Sequence, residues 1–178
     1  MNSQTKLTYE DYVQFPQDGK RHELIDGEHF ATPAPDTYHQ KLSRRIQFQL
    51  YQLIEERGLG EVYDAPTDLQ FSQLDVVQPD LIVVLAAKRQ IITPKKIKGA
   101  PDLIVEILSE STEGIDRNLK KELYQKMGVP EYWIVDPADH IVEQHVLEEG
   151  AYKLVGRHER EITFTRLEGV RVDLTRVW

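Results

Sequence analysis

Pro101-Asp102-Leu103-Ile104-Val105-Glu106-Ile107-Leu108 reads as one strand of a sheet covered on both faces, because a short apolar run rich in β-branched residues suits that setting. Glu106 breaks the pattern. A carboxylate in such a strand is costly unless a cation or a metal compensates it, and sites where local rules fail tend to be functional ones. Glu106 is therefore the first candidate site residue. The same wording, Pro-Asp-Leu-Ile-Val, stands at Pro79–Val83, ahead of Val84 and Leu85, so two buried strands each begin behind an aspartate. Asp102 and Glu106 share one side of a strand but lie roughly 13 Å apart at ~3.3 Å per residue, too far to share one ion. Asp102 reads as a turn residue after proline. A carboxylate partner for Glu106 has to come from a neighbouring strand, and Asp80 is that candidate.

A helix is expected from about Ile115 to Met127, stopped by Gly128 and Pro130. At about 100° per residue, Leu119, Leu123 and Met127 define an apolar stripe that includes Lys120, with Asp116 one turn earlier on the same side. Lys121 and Lys126 fall at or beyond its margins as ordinary solvated charges. Lys120 is the lysine with a positional reason to be functional. No acidic residue stands between Asp80 and Asp102, while Lys88, Arg89, Lys95, Lys96 and Lys98 accumulate there. Such a segment between two carboxylate candidates suits a polyanionic substrate, with Lys95, Lys96 and Lys98 as its contacts. His39 lies in the apolar stripe of an earlier helix and is a weaker substrate-binding candidate.

Further out, Asp26-Gly27 between short apolar arms marks a hairpin over His22–Phe30, and Thr8 caps a short helix that covers an apolar edge. Tyr38, Leu42, Ile46, Leu50, Leu53 and Ile54 recur at helical spacing, and Gly58 ends that helix. Segments at Glu61–Leu69, Phe71–Val77, Tyr132–Val135, Ile141–Leu147, Tyr152–Val155, Ile162–Phe164 and Val170–Leu174 read as strands. The sum is an α/β (α+β) sheet with helices on its faces, and 178 residues without a linker or low-complexity tract suit a single domain over 1–178. Twenty-two basic and thirty acidic residues leave a net charge of −8, so nucleic acid has to be met by a local patch rather than by the whole surface. The lack of cysteine excludes disulfides, thiolate metal sites and a cysteine nucleophile. Met1–Lys6 lacks an apolar core, and no apolar run approaches the ~20 residues of a membrane span, so a soluble cytoplasmic chain with no membrane partner is expected. No Gly-rich phosphate loop or serine-hydrolase elbow is present.

Asp80, then Glu106, then a lysine resembles the PD-(D/E)XK nuclease superfamily. Arg21-His-Glu-Leu-Ile-Asp-Gly-Glu28, His39, Pro79-Asp80, Pro101–Ser109 with Ser111-Thr112, Asp116-Arg-Asn-Leu-Lys120, Tyr124 and Gly128-Val-Pro-Glu-Tyr-Trp-Ile-Val-Asp136 together resemble the Uma-two family of endonucleases. The resemblance implies a restriction-endonuclease-like central mixed sheet flanked by helices. It implies a metal-dependent endonuclease that hydrolyses phosphodiester bonds, of DNA first, with Asp80 and Glu106 holding Mg²⁺ or Mn²⁺ and Glu23 adding a further catalytic carboxylate. The superfamily lysine would stand two residues after Glu106, where this chain has Leu108. The resemblance implies that its role has moved to Lys120, the residue that the helical stripe selects independently. A homodimer is the habit of the fold. The rival expectation is an inactive nuclease-like fold that serves as a binding or regulatory module.

Overall fold

The computed structural model describes residues 5–178. At its start a one-turn helix, α1 (Tyr9–Tyr12), is fixed by the Asp11 carboxylate, which accepts the Thr8 backbone N–H at 2.8 Å. Tyr12 then packs on Leu24 and Val76, so this short helix covers the back of a sheet. Strands β1 (Arg21–Ile25) and β2 (Glu28–Thr32) form the hairpin. Its two-residue turn places Asp26 and Gly27 at φ 51° and 75°, which is why Asp-Gly stands there. Helix α2 (Thr37–Leu50) begins where Asp36 accepts the His39 N–H at 2.7 Å, continues through a π-turn at Tyr51–Glu55, and stops before Gly58 at φ 69°.

Strands β3 (Gly60–Asp64), β4 (Leu69–Gln70), β5 (Val76–Val77) and β6 (Leu81–Leu85) follow. The strand expected over Glu61–Leu69 stops at Asp64, since Pro66 has no N–H to give a ladder. The one expected over Phe71–Val77 shrinks to Val76–Val77. There the Ser72 hydroxyl donates to Asp75 Oδ2 at 2.6 Å and the Phe71 N–H to Asp75 O at 3.0 Å, so a local turn takes the groups a strand would need. After a 3₁₀ turn at Ala86–Ile91 come β7 (Ile97–Lys98) and β8 (Leu103–Ile107). A π-turn at Ile115–Lys120 runs directly into α3 (Lys121–Lys126). The chain closes with β9 (Glu131–Asp136), β10 (Ile141–Glu148), β11 (Ala151–His158), β12 (Glu161–Thr163) and β13 (Arg171–Asp173).

The main sheet has the order β11-β10-β9-β8-β6-β3, in which β8 and β9 are parallel and every other neighbouring pair is antiparallel. A second sheet runs β2-β1-β5-β4-β7. Alternation along the buried strands sorts the core into two layers. Leu81, Val83, Leu103, Val105, Ile107, Trp133 and Val135 pack under α2 and the β12–β13 hairpin. Ile82, Val84, Ile104, Leu108, Tyr132 and Ile134 face α3 and the second sheet. Glu106 belongs by parity to this second face, which also receives Asp80. No helix among the described residues is long and apolar enough to cross a membrane.

Candidate active site

Two antiparallel strands place the first two carboxylates. Leu81 pairs with Val105 across β6 and β8, so one step back on β6 and one step on along β8 set Asp80 opposite Glu106. The Asp80 backbone N–H donates to Glu106 Oε2 at 3.3 Å. From there the two side chains diverge toward different partners. Asp80 Oδ1 accepts from Arg21 Nη1 at 2.7 Å, and Oδ2 accepts from the Ile107 N–H at 2.8 Å and lies 3.1 Å from His39 Nε2. His39 Nε2 is also 3.0 Å from the Ile107 carbonyl, so this nitrogen carries the proton, while Nδ1 is buried without a partner. Burial pushes the Asp80 carboxyl up, but His39, Arg21 and the Ile107 N–H outweigh it and hold it at about 2.

Glu106 meets the opposite neighbourhood. Its Oε1 accepts from Lys120 Nζ at 3.0 Å and from the Tyr124 hydroxyl at 2.7 Å. The same Nζ stands 3.0 Å from Glu23 Oε1 and 3.4 Å from Asp116 Oδ1, the latter an ion-pair contact without hydrogen-bond geometry. Glu23 is held in place by the Gln78 backbone N–H at 2.7 Å. Three carboxylates thus surround one buried ammonium. Burial raises the Glu106 carboxyl, Lys120 lowers it, and the nearby Asp116, Asp80 and Glu23 raise it again, to about 8. Asp116 is also raised, first by burial. Lys120 stays protonated, since the three carboxylates more than offset its desolvation.

The structure brings Glu23, His39, Asp80, Glu106 and Lys120 into one cleft of about 270 Å³, with Arg21 and Asp116. Ser109, Ser111 and Thr112 form its rim, with Ser109 Oγ 3.1 Å from Ser111 Oγ and 3.0 Å from Thr112 Oγ1. Lys95, Lys96 and Lys98 are not among the residues that line it. Lys88, from the same segment, is tied to Asp102 Oδ1 and the Ala100 carbonyl, each at 3.2 Å, and Asp102 Oδ2 accepts the Leu85 N–H at 2.8 Å. Asp102 is the turn residue its sequence suggested.

Helical phase needed a correction. Leu119, expected in the apolar stripe, is 40% exposed, whereas Asp116 and Lys120 are 2% and 3% exposed. The π-turn at Ile115–Lys120 closes i to i+5 hydrogen bonds, so each turn holds more than the ~3.6 residues of an α-turn and the phase advances less per residue. Arg21 was missed as a functional side chain. The signal was its two-residue spacing from Glu23, which puts both on one face of β1.

The oxygens of Asp80 and Glu106 are carboxylate donors throughout, the chemistry that a hard divalent cation prefers. Among the described residues no three His, Asp or Glu side chains form a ready-made metal cage. Asp80 and Glu106, on adjacent strands, are the oxygen donors such an ion takes alongside water, and here they turn toward Arg21 and His39 on one side and Lys120 and Tyr124 on the other.

Residues 9–176 match the family model Uma2, whose description is "Putative restriction endonuclease". Among solved structures, a putative nuclease belonging to DUF820 from Anabaena variabilis ATCC 29413 superposes with a TM-score of 0.77 at 15% identity. The alignment covers 96% of this chain and 97% of the other, so the two share the restriction-endonuclease-like fold. No curated protein matches the chain.

Proposed function

The chain belongs to the Uma2 family, described as "Putative restriction endonuclease", and on that premise we propose that it is a metal-dependent endonuclease hydrolysing phosphodiester bonds of nucleic acid, DNA first. The observation that carries this reading is Lys120, buried and ringed by Glu23, Glu106 and Asp116 in a cleft that also holds Asp80. Asp80 and Glu106 would hold Mg²⁺ or Mn²⁺. When bound, the cation lowers the pKa of water and neutralises phosphate charge. The protein's own side chains do the rest. Arg21, with its side chain 19% exposed, reaches the cleft and offers a planar donor to a phosphate oxygen. Lys120 is the fixed positive charge toward which a pentavalent phosphorane develops its negative charge, and the Tyr124 hydroxyl fixes the Glu106 carboxyl beside it. Glu23, anchored by Gln78, holds the ammonium from the second sheet and so keeps the two sheets in register across the cleft.

A soluble cytoplasmic homodimer completes the proposal, and sedimentation of purified protein checks the dimer. A second reading, a binding module on a nuclease fold, draws on one observation: both Asp80 oxygens are already engaged, by Arg21, His39 and Ile107. A Mn²⁺-dependent cleavage assay on mixed DNA and RNA separates the two. Cleavage by the wild-type chain that is lost in Lys120→Ala supports the endonuclease. Nucleic-acid binding without cleavage, at any divalent concentration tried, supports the module.

A further inference from the structure

Beside the cleft lies a second, larger depression of about 880 Å³. Arg21, Ala34 and Pro35 line both, so the two depressions adjoin at the Arg21 side chain. Its lining differs in kind from the catalytic cleft. Lys20, Arg21 and Lys95 are its cations and Asp68 its one carboxylate; Arg21 is paired with Asp80 and Lys20 loosely with Asp18 at 3.8 Å, so exposed Lys95 and Lys20 supply the positive charge that faces the groove. The Asp68 carboxylate is itself engaged, accepting from the Tyr12 hydroxyl at 2.6 Å and from Gln78 Nε2 at 2.9 Å. Asp18, which pairs with His22 and Lys20, is not among the lining residues.

The same groove presents apolar and aromatic surface. Val13 is 58% exposed, and Phe15 is half-buried against the His22 and His29 rings, at 5.6 and 4.3 Å between centroids. Those two imidazoles lie edge to edge with their planes 12° apart, joined by a 2.9 Å hydrogen bond, so Phe15 packs against a pair of linked rings. Base pairs inside a duplex keep their faces against one another and offer a protein only phosphates and groove edges. A strand without a partner has free base faces, which seek aromatic rings while basic side chains follow its backbone.

We propose that this groove receives an unpaired nucleic-acid strand and feeds it past Arg21 to the cleft. This narrows the endonuclease reading, on which it rests, to single-stranded substrate or to single-stranded regions of a larger one. Lys95 thereby becomes the member of the 95–98 segment that touches the strand. Lys96 instead holds α1 in place, with its Nζ 3.5 Å above the Tyr9 ring.

The test measures fluorescence anisotropy of a short labelled oligonucleotide as single-stranded DNA, as single-stranded RNA and as the blunt DNA duplex, in EDTA so that no cleavage intervenes. Single strands of either sugar should bind at least about tenfold more tightly than the duplex, and the preferred sugar identifies the natural substrate. Phe15→Ala should weaken strand binding by about tenfold, and Lys20→Glu with Lys95→Glu should weaken it further and flatten its salt dependence. Lys153→Glu, at an exposed site on β11, should change neither. Because Phe15 contacts the histidine pair, its variant is compared with the surface pair of lysines, which leaves the packing intact. Duplex binding as tight as strand binding overturns the proposal, as does unchanged strand affinity in the lysine pair. Strand binding without Mn²⁺-dependent cleavage overturns the endonuclease reading alone. Preferential cleavage of duplex with groove variants unaffected overturns the groove alone.

Discussion

Glu106 and Asp80 face each other across one strand pair, yet their proton affinities part in opposite directions, and each leaves its own mark on stability. An unfolded glutamate loses its proton near 4.5, whereas Glu106 in the fold holds it to about 8. Between those values the folded chain binds one more proton than the unfolded chain, so this residue's contribution to stability falls as pH rises. Glu106→Gln keeps the shape and removes the titration. The stability of the variant relative to wild type, from urea unfolding, should therefore rise by a few kcal/mol between pH 4.5 and 8; a constant difference would show that Glu106 ionises normally. For Asp80 the sign reverses. Its lowered carboxyl contributes about 2 kcal/mol above the unfolded value of 3.8, lost as pH falls toward 2. Lys120→Ala removes the one ammonium that balances three buried carboxyl groups and should cost about 3 kcal/mol at pH 8 along with all cleavage, while Lys121→Ala should leave both near wild type. Equal losses in the two variants would place the wrong lysine in the cleft. The meeting of Glu106 and Lys120 in the cleft was legible in the sequence because each violates the rule of its own segment, and Asp80 followed as the carboxylate Glu106 needed from a neighbouring strand. Arg21 could be found only through its two-residue spacing from Glu23, since a charged residue at the first position of a strand violates nothing.

At the scale of elements, the two Pro-Asp-Leu-Ile-Val segments carry the same words into different uses. Both build central strands of the main sheet. Only neighbouring chain decides which aspartate meets a cation in the cleft and which caps a loop, and that is long-range information that local wording cannot hold. Asp80→Asn should abolish cleavage while strand binding survives. Asp102→Ala should lower stability by about 1–3 kcal/mol, through the unmet Leu85 N–H and the freed Lys88, with the cleavage rate of the folded fraction unchanged. Thermal melts and single-turnover rates on both variants check this, and a lost rate in well-folded Asp102→Ala would give the second aspartate a direct part. The helix after β8 taught a related lesson. Its α-period selected Lys120 but also Leu119, because nothing in composition announces a π-turn. Likewise β5 is shorter than its apolar surroundings suggest, as apolar content is visible in sequence and the competing Ser72–Asp75 turn is not.

For the molecule as a whole, the parts of the chain that make the cleft and the parts that make it stable are different. Cleft residues come from between Arg21 and Lys120, but the core layer on the opposite face of β8 combines α2 with Ile162, Phe164, Val170 and Val172, which belong to the β12–β13 hairpin and its turn. Phe164 is 1% exposed and lies in this core layer, on the side of the sheet away from the cleft. Phe164→Ala should lower stability by about 3–5 kcal/mol, and with it the active fraction, though it touches no polar group of the site. Denaturant titration alongside activity per folded molecule checks this; a variant folded as well as wild type would mean that the hairpin is dispensable. The layering also bears on the moment of synthesis. A chain extended only to residue 120 holds the side chains that line the cleft, yet it lacks Tyr124, which donates to Glu106; β9, the parallel neighbour of β8; and the hairpin of the opposite core layer. During synthesis the chemical groups therefore appear first and the frame that aligns them appears last.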